Sequence, residues 1–142
     1  MPKSVLKVDA KAHSISGGKG LNTGFSLRPG DILVITAGPD DKWAAGKPNR
    51  YSNANGLGNP LGGQFGLYRR GDQSFLYGAL VGSLDGAKTF FSVGTHLSMT
   101  VLTEGNLTLH YWDSNNTDNV EAVQVIIQIY NGPVNVDLSS PG

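Results

Sequence analysis

The chain has 142 residues, no cysteine, and eleven basic against eleven acidic side chains, for a formal net charge of zero. Lack of cysteine removes disulfides, thiolate zinc sites and cysteine nucleophiles, and a balanced charge without a basic run argues against nucleic acid as a partner. Twenty glycines and seven prolines, with few helix formers in series, indicate an all-β chain rich in turns, and the length suits one domain over 1–142. Met1-Pro2-Lys3-Ser4-Val5-Leu6 lacks the apolar core of a secretory signal, and no segment approaches the roughly 18 apolar residues of a membrane span. The expectation is a soluble chain, made in the cytoplasm and not inserted in a membrane, whose release would need no classical signal.

Taken in order, Val5–Val8 reads as a first strand and His13–Ile15 as a short second one. Gly17-Gly18-Lys19-Gly20 is a turn; no serine or threonine follows a Gly-Lys pair, so it is not a phosphate-binding P-loop. Thr23–Leu27 leads through Arg28-Pro29-Gly30-Asp31, a type I or II turn, into Ile32–Ala37, an apolar run of strand length suited to the middle of a sandwich. From Gly38 to about Ser74 glycine, proline and asparagine dominate without period. A connection of this length commonly carries function, and it offers Trp43, Asn49, Tyr51, Asn53, Asn55, Gln64 and Tyr68 to grip a polar ligand. Gly56-Leu57-Gly58-Asn59-Pro60-Leu61-Gly62 has the wrong spacing for a dinucleotide fingerprint. Further strands are expected at Phe75–Gly82, Thr89–Gly94, His96–Val101, Leu107–Tyr111 and Val120–Tyr130, with turns at Ser83–Gly86 and Glu104-Gly105. About eight strands with short turns and one long excursion make a β-sandwich.

Between the last two strands lies His110-Tyr111-Trp112-Asp113-Ser114-Asn115-Asn116-Thr117-Asp118-Asn119, dense in oxygen-bearing side chains. Such a loop is either a solvated turn or a cage for a hard cation, since Ca²⁺ takes about six to eight oxygen ligands. It is not an EF-hand: the sixth and twelfth positions from Asp113 are Asp118 and Gln124, where glycine and glutamate are needed, and its flanks are strands. A calcium site across a sandwich end would draw on Asp113, Asp118 and Asn119 with main-chain carbonyls. Catalysis has less support. No Gly-x-Ser-x-Gly elbow occurs, His13, His96 and His110 stand singly on expected strands, and nothing in the spacing pairs Asp85, Glu104 and Glu121 as glycoside hydrolysis requires. No enzymatic activity is expected.

From about Thr23 to Ile129 the chain resembles the small calcium-dependent galactophilic lectins of bacteria, the PA-IL (LecA) type, and domains related to them. The resemblance is carried by Thr23-Gly24-Phe25 with Arg28-Pro29-Gly30-Asp31-Ile32, by Tyr77-Gly78-Ala79-Leu80-Val81-Gly82, by Phe91-Ser92-Val93-Gly94, and by Gly105-Asn106-Leu107-Thr108-Leu109 leading to Asp113 and then to Asp118-Asn119. It implies a jelly-roll-like sandwich, similar to galactose-binding domains, holding one Ca²⁺ whose coordination is completed by the O3 and O4 hydroxyls of a sugar. Carried over by position, Asp113, Asp118 and Asn119 would bind the metal through side chains, and Thr117 and Trp43 through main-chain carbonyls. The Trp43 ring would pack on the sugar face, with Asp113 and Asn119 holding sugar hydroxyls. Asn53, Asn55 and Gln64 are rival sugar clamps, Asn59-Pro60 with Gln64 being the nearest echo of the family's His-Pro-x-Gln. Val120-Glu121 stands where the family has Ser-Gly, and the 113–118 loop is about two residues shorter. The partners implied are galactosides or other glycans and further copies of the chain, as a dimer or tetramer. The alternative is a metal-free sandwich module that binds a protein or polymer through its Gly/Asn-rich loop.

Overall fold

The computed structural model describes residues 3–46, 50–57 and 66–131. Among them twelve strands occur: β1 Lys3–Asp9, β2 Leu21–Leu27, β3 Ile32–Ala37, β4 Trp43–Ala44, β5 Tyr51–Ser52, β6 Leu67–Arg70, β7 Gln73–Leu76, β8 Leu80–Ser83, β9 Phe91–Ser92, β10 His96–Thr100, β11 Gly105–Tyr111 and β12 Ala122–Tyr130. Eight of these form two four-stranded sheets, β1-β12-β3-β10 and β2-β11-β8-β9, and β4-β5 and β6-β7 are two-stranded ribbons. Every strand pairing is antiparallel. The expected all-β sandwich is therefore observed, and no described helix is long and apolar enough to cross a membrane.

The core follows from side-chain alternation. Successive side chains of a strand point to opposite faces, so Leu33 and Ile35 of β3, Leu107, Leu109 and Tyr111 of β11, and Val123, Val125 and Ile127 of β12 meet between the sheets and are buried with Val8, Leu27 and Trp43. The opposite face of β8 and β11 is covered too. There Val81, Phe90 and Trp112 pack beneath Tyr68, Phe75 and Leu76 of the β6-β7 ribbon. Burial on both faces is why all four residues of β8 are buried.

Two local departures from the sequence reading have clear causes. The expected strand over Phe75–Gly82 is broken into β7 and β8 because Gly78 adopts φ +82°. A Cβ there would lie 3.0 Å from Ser52 Oγ and 3.3 Å from Tyr111 Oη, so glycine alone fits this kink. The stretch read as structureless, 38–74, contains β4, β5, β6 and the start of β7. Strands of two to four residues are too short to display a period. At Arg28–Asp31 the turn is type II: Gly30 has φ +96° and the Asp31 N–H donates to Arg28 O at 3.0 Å, the geometry that Pro-Gly at the central positions favours. The expected strand at His13–Ile15 is reduced to one bridge, between Ser14 and Tyr111.

Candidate functional site

At the end of β11 the ladder continues past the strand. The Trp112 N–H donates to Ala79 O at 3.0 Å, and the Gly78 N–H donates to Trp112 O at 2.7 Å. On the other side the Ile15 N–H donates to Tyr111 O at 3.1 Å. Trp112 thus stays in the core, fully buried, and the chain leaves the sheet at Asp113 between the 10–16 segment and the Gly78 kink.

Asp113 is only 2% exposed. The Ser14 hydroxyl donates to its Oδ1 at 2.8 Å, and the Ser16 hydroxyl donates to its main-chain oxygen at 2.7 Å. Burial pushes the carboxyl above the usual aspartate range, opposed by hydrogen bonds from Ser14, the Asn119 side chain and the Asn115 main chain. These donors are neutral, so they solvate the charge without cancelling it. Asn119 is also 2% exposed. Its Nδ2 donates to Ala10 O at 2.7 Å, while its buried Oδ1 has no hydrogen-bond partner. An unmet buried acceptor costs about 1–3 kcal/mol, so this atom marks a place where a donor or a cation would be stabilising.

The rest of the loop is pinned from within and below. Asn115 Oδ1 accepts from the Thr117 N–H and hydroxyl, both at 2.8 Å. Asn116 Nδ2 donates to Lys11 O at 3.0 Å, and the Asn119 N–H donates to Asn116 O at 3.1 Å. Thr117 and Asp118 lie exposed on the outside of the turn. The β4 strand runs alongside: Ala44 and Val120 exchange reciprocal main-chain hydrogen bonds at 3.0 Å, and a Cβ at Gly46 would lie 3.5 Å from Asp118 Cβ. The main chain at Trp43–Gly46 is therefore a direct neighbour of the Asp118–Val120 turn.

The residues named from sequence thus separate. Asp113 and Asn119 come together as buried oxygens, Asp118 and Thr117 stand on the exposed side of the same turn, and the Trp43 main chain passes beside it. The Trp43 ring does not reach the surface, a correction to the expectation that it packs on a sugar. It is fully buried, its Nε1–H donates to Gly78 O at 2.9 Å, and it meets Tyr111 edge-on with centroids 4.5 Å apart. Asn53 and Asn55 hold main chain: Asn53 Nδ2 donates to Pro39 O at 3.1 Å, and Asn55 Oδ1 accepts from the Thr95 N–H at 2.8 Å. Asn49, Asn59, Pro60 and Gln64 lie outside the described residues. Sequence reasoning missed Ser14 and Ser16, whose only signal was two hydroxyls flanking Ile15.

The remaining titratable candidates have structural explanations. His110 is buried under Phe90 and beside Gly20, with Nε2 hydrogen-bonded to Thr108 Oγ1 at 2.8 Å. Burial first, then the charges of His13 and Arg70, push its pKa down to about 4, so the ring is neutral at pH 7. Asp85 accepts from the Thr89 hydroxyl and N–H, the Ser83 hydroxyl and the Lys88 N–H, which lower it to about 2. A carboxylate held ionised by its own loop is a poor general acid. No group of three or more His, Asp or Glu side chains among the described residues is placed to hold a metal, so a cation at the 113–119 loop would rely on amide and carbonyl oxygens besides carboxylates.

No protein-family model matches the chain, and no curated protein does. A solved structure described as "EclA N-terminal domain; PllA-like lectin" is similar over 89% of this chain and 95% of that one, with 28% sequence identity and a TM-score of 0.61. The likeness supports a lectin-like family in general and does not single out the galactophilic PA-IL type.

Proposed function

We propose that this chain is a calcium-dependent lectin that binds a sugar bearing vicinal hydroxyls, such as galactose, and performs no reaction on it. The observation that carries the reading is the pair of buried oxygens at the loop base: an Asp113 carboxylate held by neutral donors and an Asn119 Oδ1 with no partner. Hard oxygen donors of this kind suit Ca²⁺. Asp118 would add the second carboxylate, and the Thr117 and Trp43 carbonyls would add main-chain oxygens from the turn and the strand beside it. When bound, the cation supplies open coordination positions that sugar hydroxyls can fill. Asp113 would then accept a charge-assisted hydrogen bond from such a hydroxyl. The lectin-like solved structure supports the same class of ligand. A single shallow site of this type binds weakly, so a dimer or tetramer would gain useful avidity by multivalency.

Titration calorimetry of galactose into the protein, with calcium and again in EDTA, tests the proposal. Heat with calcium and none in EDTA is the expected outcome. Heat of equal size in EDTA refutes the metal-bridged site. Silence in both, repeated with mannose and fucose as alternative cis-diols, refutes the lectin reading.

A further inference from the structure

We infer that β10 is a self-pairing edge, through which two copies of this chain join their β1-β12-β3-β10 sheets into one antiparallel sheet about a two-fold axis at Ser98. This edge would supply the multivalency proposed above, but it uses no residue of the sugar site, and its test needs no sugar. The two four-stranded sheets have four edge strands between them, and three of these are blunted in ways that keep edges from pairing. β1 carries exposed Lys3 and Lys7. β2 contains Gly24 at φ +83°, and its ladder with β11 shifts register between Asn106 and Thr108, as at a bulge. β9 has only two residues. β10, His96-Leu97-Ser98-Met99-Thr100, has no Lys, Arg, Asp, Glu or Pro, and its five residues pair with β3 in unbroken register. Among the described residues β3 is its one sheet partner.

The β3–β10 ladder fixes which main-chain groups are turned outward. The Ala37 N–H donates to Thr95 O at 2.9 Å and the Val101 N–H to Asp31 O at 2.7 Å, in the register that sets Leu97 opposite Ile35 and Met99 opposite Leu33. Antiparallel strands bond through alternate residues. Leu97 and Met99 therefore bond to β3, while the N–H and C=O groups of His96, Ser98 and Thr100 point away from it along the edge. A second β10 laid antiparallel with Ser98 opposite Ser98 sets His96 against Thr100 and Leu97 against Met99. About six main-chain hydrogen bonds then close the edge, no two acidic or basic side chains oppose each other, and apolar meets apolar. Self-complementarity of this kind is what an isologous two-fold contact requires. Apolar surface lies beside the ladder as well. A cavity of about 330 Å³ between β9 and β10 includes Phe91, Met99 and Leu102 in its lining, and Leu102 is 81% exposed.

The chain has no cysteine, so an introduced one reports on the pairing directly. Ser98→Cys should give a disulfide-linked dimer under mild oxidation, because the axis brings the two copies of this position within the roughly 4.4–6.8 Å Cα separation that a disulfide accepts. His96→Cys should stay unlinked, since its two copies stand four residues apart along the paired strands, about 13 Å. Sedimentation equilibrium of the unmutated chain should give a mass approaching twice 15.0 kDa as concentration rises. Ser98→Lys, which sets two ammonium groups face to face, should weaken that dimer about tenfold or more. Ser98 is exposed, so the fold should persist; if Ser98→Lys fails to fold, the near-isosteric Ser98→Cys still decides. A monomer at every concentration overturns the inference and leaves β10 to a strand of other origin. A dimer as tight in Ser98→Lys as in the unmutated chain overturns it too, as does linking of His96→Cys as fast as of Ser98→Cys, because either result places the contact elsewhere.

Discussion

Asp113→Asn offers a perturbation whose sign should reverse with calcium. Burial raises the Asp113 pKa in the folded chain above the usual 3.8. A raised folded-state value means that its contribution to stability is complete below 3.8 and is lost as pH rises through the folded-state value. At pH 7 without metal the folded chain therefore carries the cost of an ionised, buried carboxylate. Asparagine has nearly the same shape and still accepts from Ser14 through its single oxygen, but its NH2 group cannot accept from the Asn119 side chain or the Asn115 main chain, so it removes only part of that cost. With 142 residues the melting entropy is about 0.3 kcal/mol/K, so a gain of about 1 kcal/mol raises Tm by about 3 °C. In EDTA, Asp113→Asn should melt at or up to about 3 °C above the unmutated chain. With calcium at a hundredfold excess over its Kd, the unmutated chain should gain about 2.7 kcal/mol, or about 9 °C, and Asp113→Asn a small fraction of that. Differential scanning calorimetry at pH 7 in the two conditions reads both numbers. If Asp113→Asn melts several degrees lower in EDTA, the carboxylate is a structural partner and not a cost. If calcium raises both proteins equally, Asp113 is not a ligand.

His110, neutral when folded with a pKa near 4 against 6.5 for the free group, binds a proton more readily in the unfolded chain. Its contribution is present above pH 6.5 and should fall by about 3 kcal/mol as pH drops to 4. Urea midpoints across that range in an Asp113→Asn background should show the decline, and adding His110→Gln should reduce it to the part left by His13, whose pKa burial also lowers against the opposing charge of Asp9. Glu121 has φ +73°, a left-handed conformation that costs a non-glycine residue about 1–2 kcal/mol. Glu121→Gly should therefore raise stability by about 0.5–1 kcal/mol in denaturant titrations, after the added freedom of the unfolded chain is offset; a loss would mean that the glutamate side chain is itself stabilising. Trp43→Ala, by removing a fully buried ring, should cost about 3–5 kcal/mol. Trp43→Phe should keep galactose affinity within about 2-fold while still losing the indole bond to Gly78. Sugar affinity lost in Trp43→Phe without loss of fold would return the ring to the site.

The sequence by itself determined the features that depend on near neighbours. The apolar run Ile32–Ala37 is β3, and the alternating Leu107–Tyr111 lies within β11. Pro29-Gly30 selects a type II turn, and Ser83–Gly86 turns around Asp85. Strand period and turn chemistry are set by sterics over two to four residues, which is why they could be read directly. The polar loop after Trp112 was also legible as a concentration of oxygen donors. Tertiary structure decided what depends on distant chain. Asp113 is buried because Ser14, 99 residues away, closes over it, and Asn119 is turned by Ala10, 109 residues away. The Trp43 ring went inward because a positive-φ glycine at 78 presents a carbonyl to its indole, whereas local composition placed it in a polar loop. His110 became a buried neutral group because the second face of β11 is covered. Tyr77 reached the loop because the β8–β11 ladder runs on past both strands. Burial, and which backbone groups remain unmet, are properties of segments that meet only on folding, so the donors could be listed from sequence while their convergence could not.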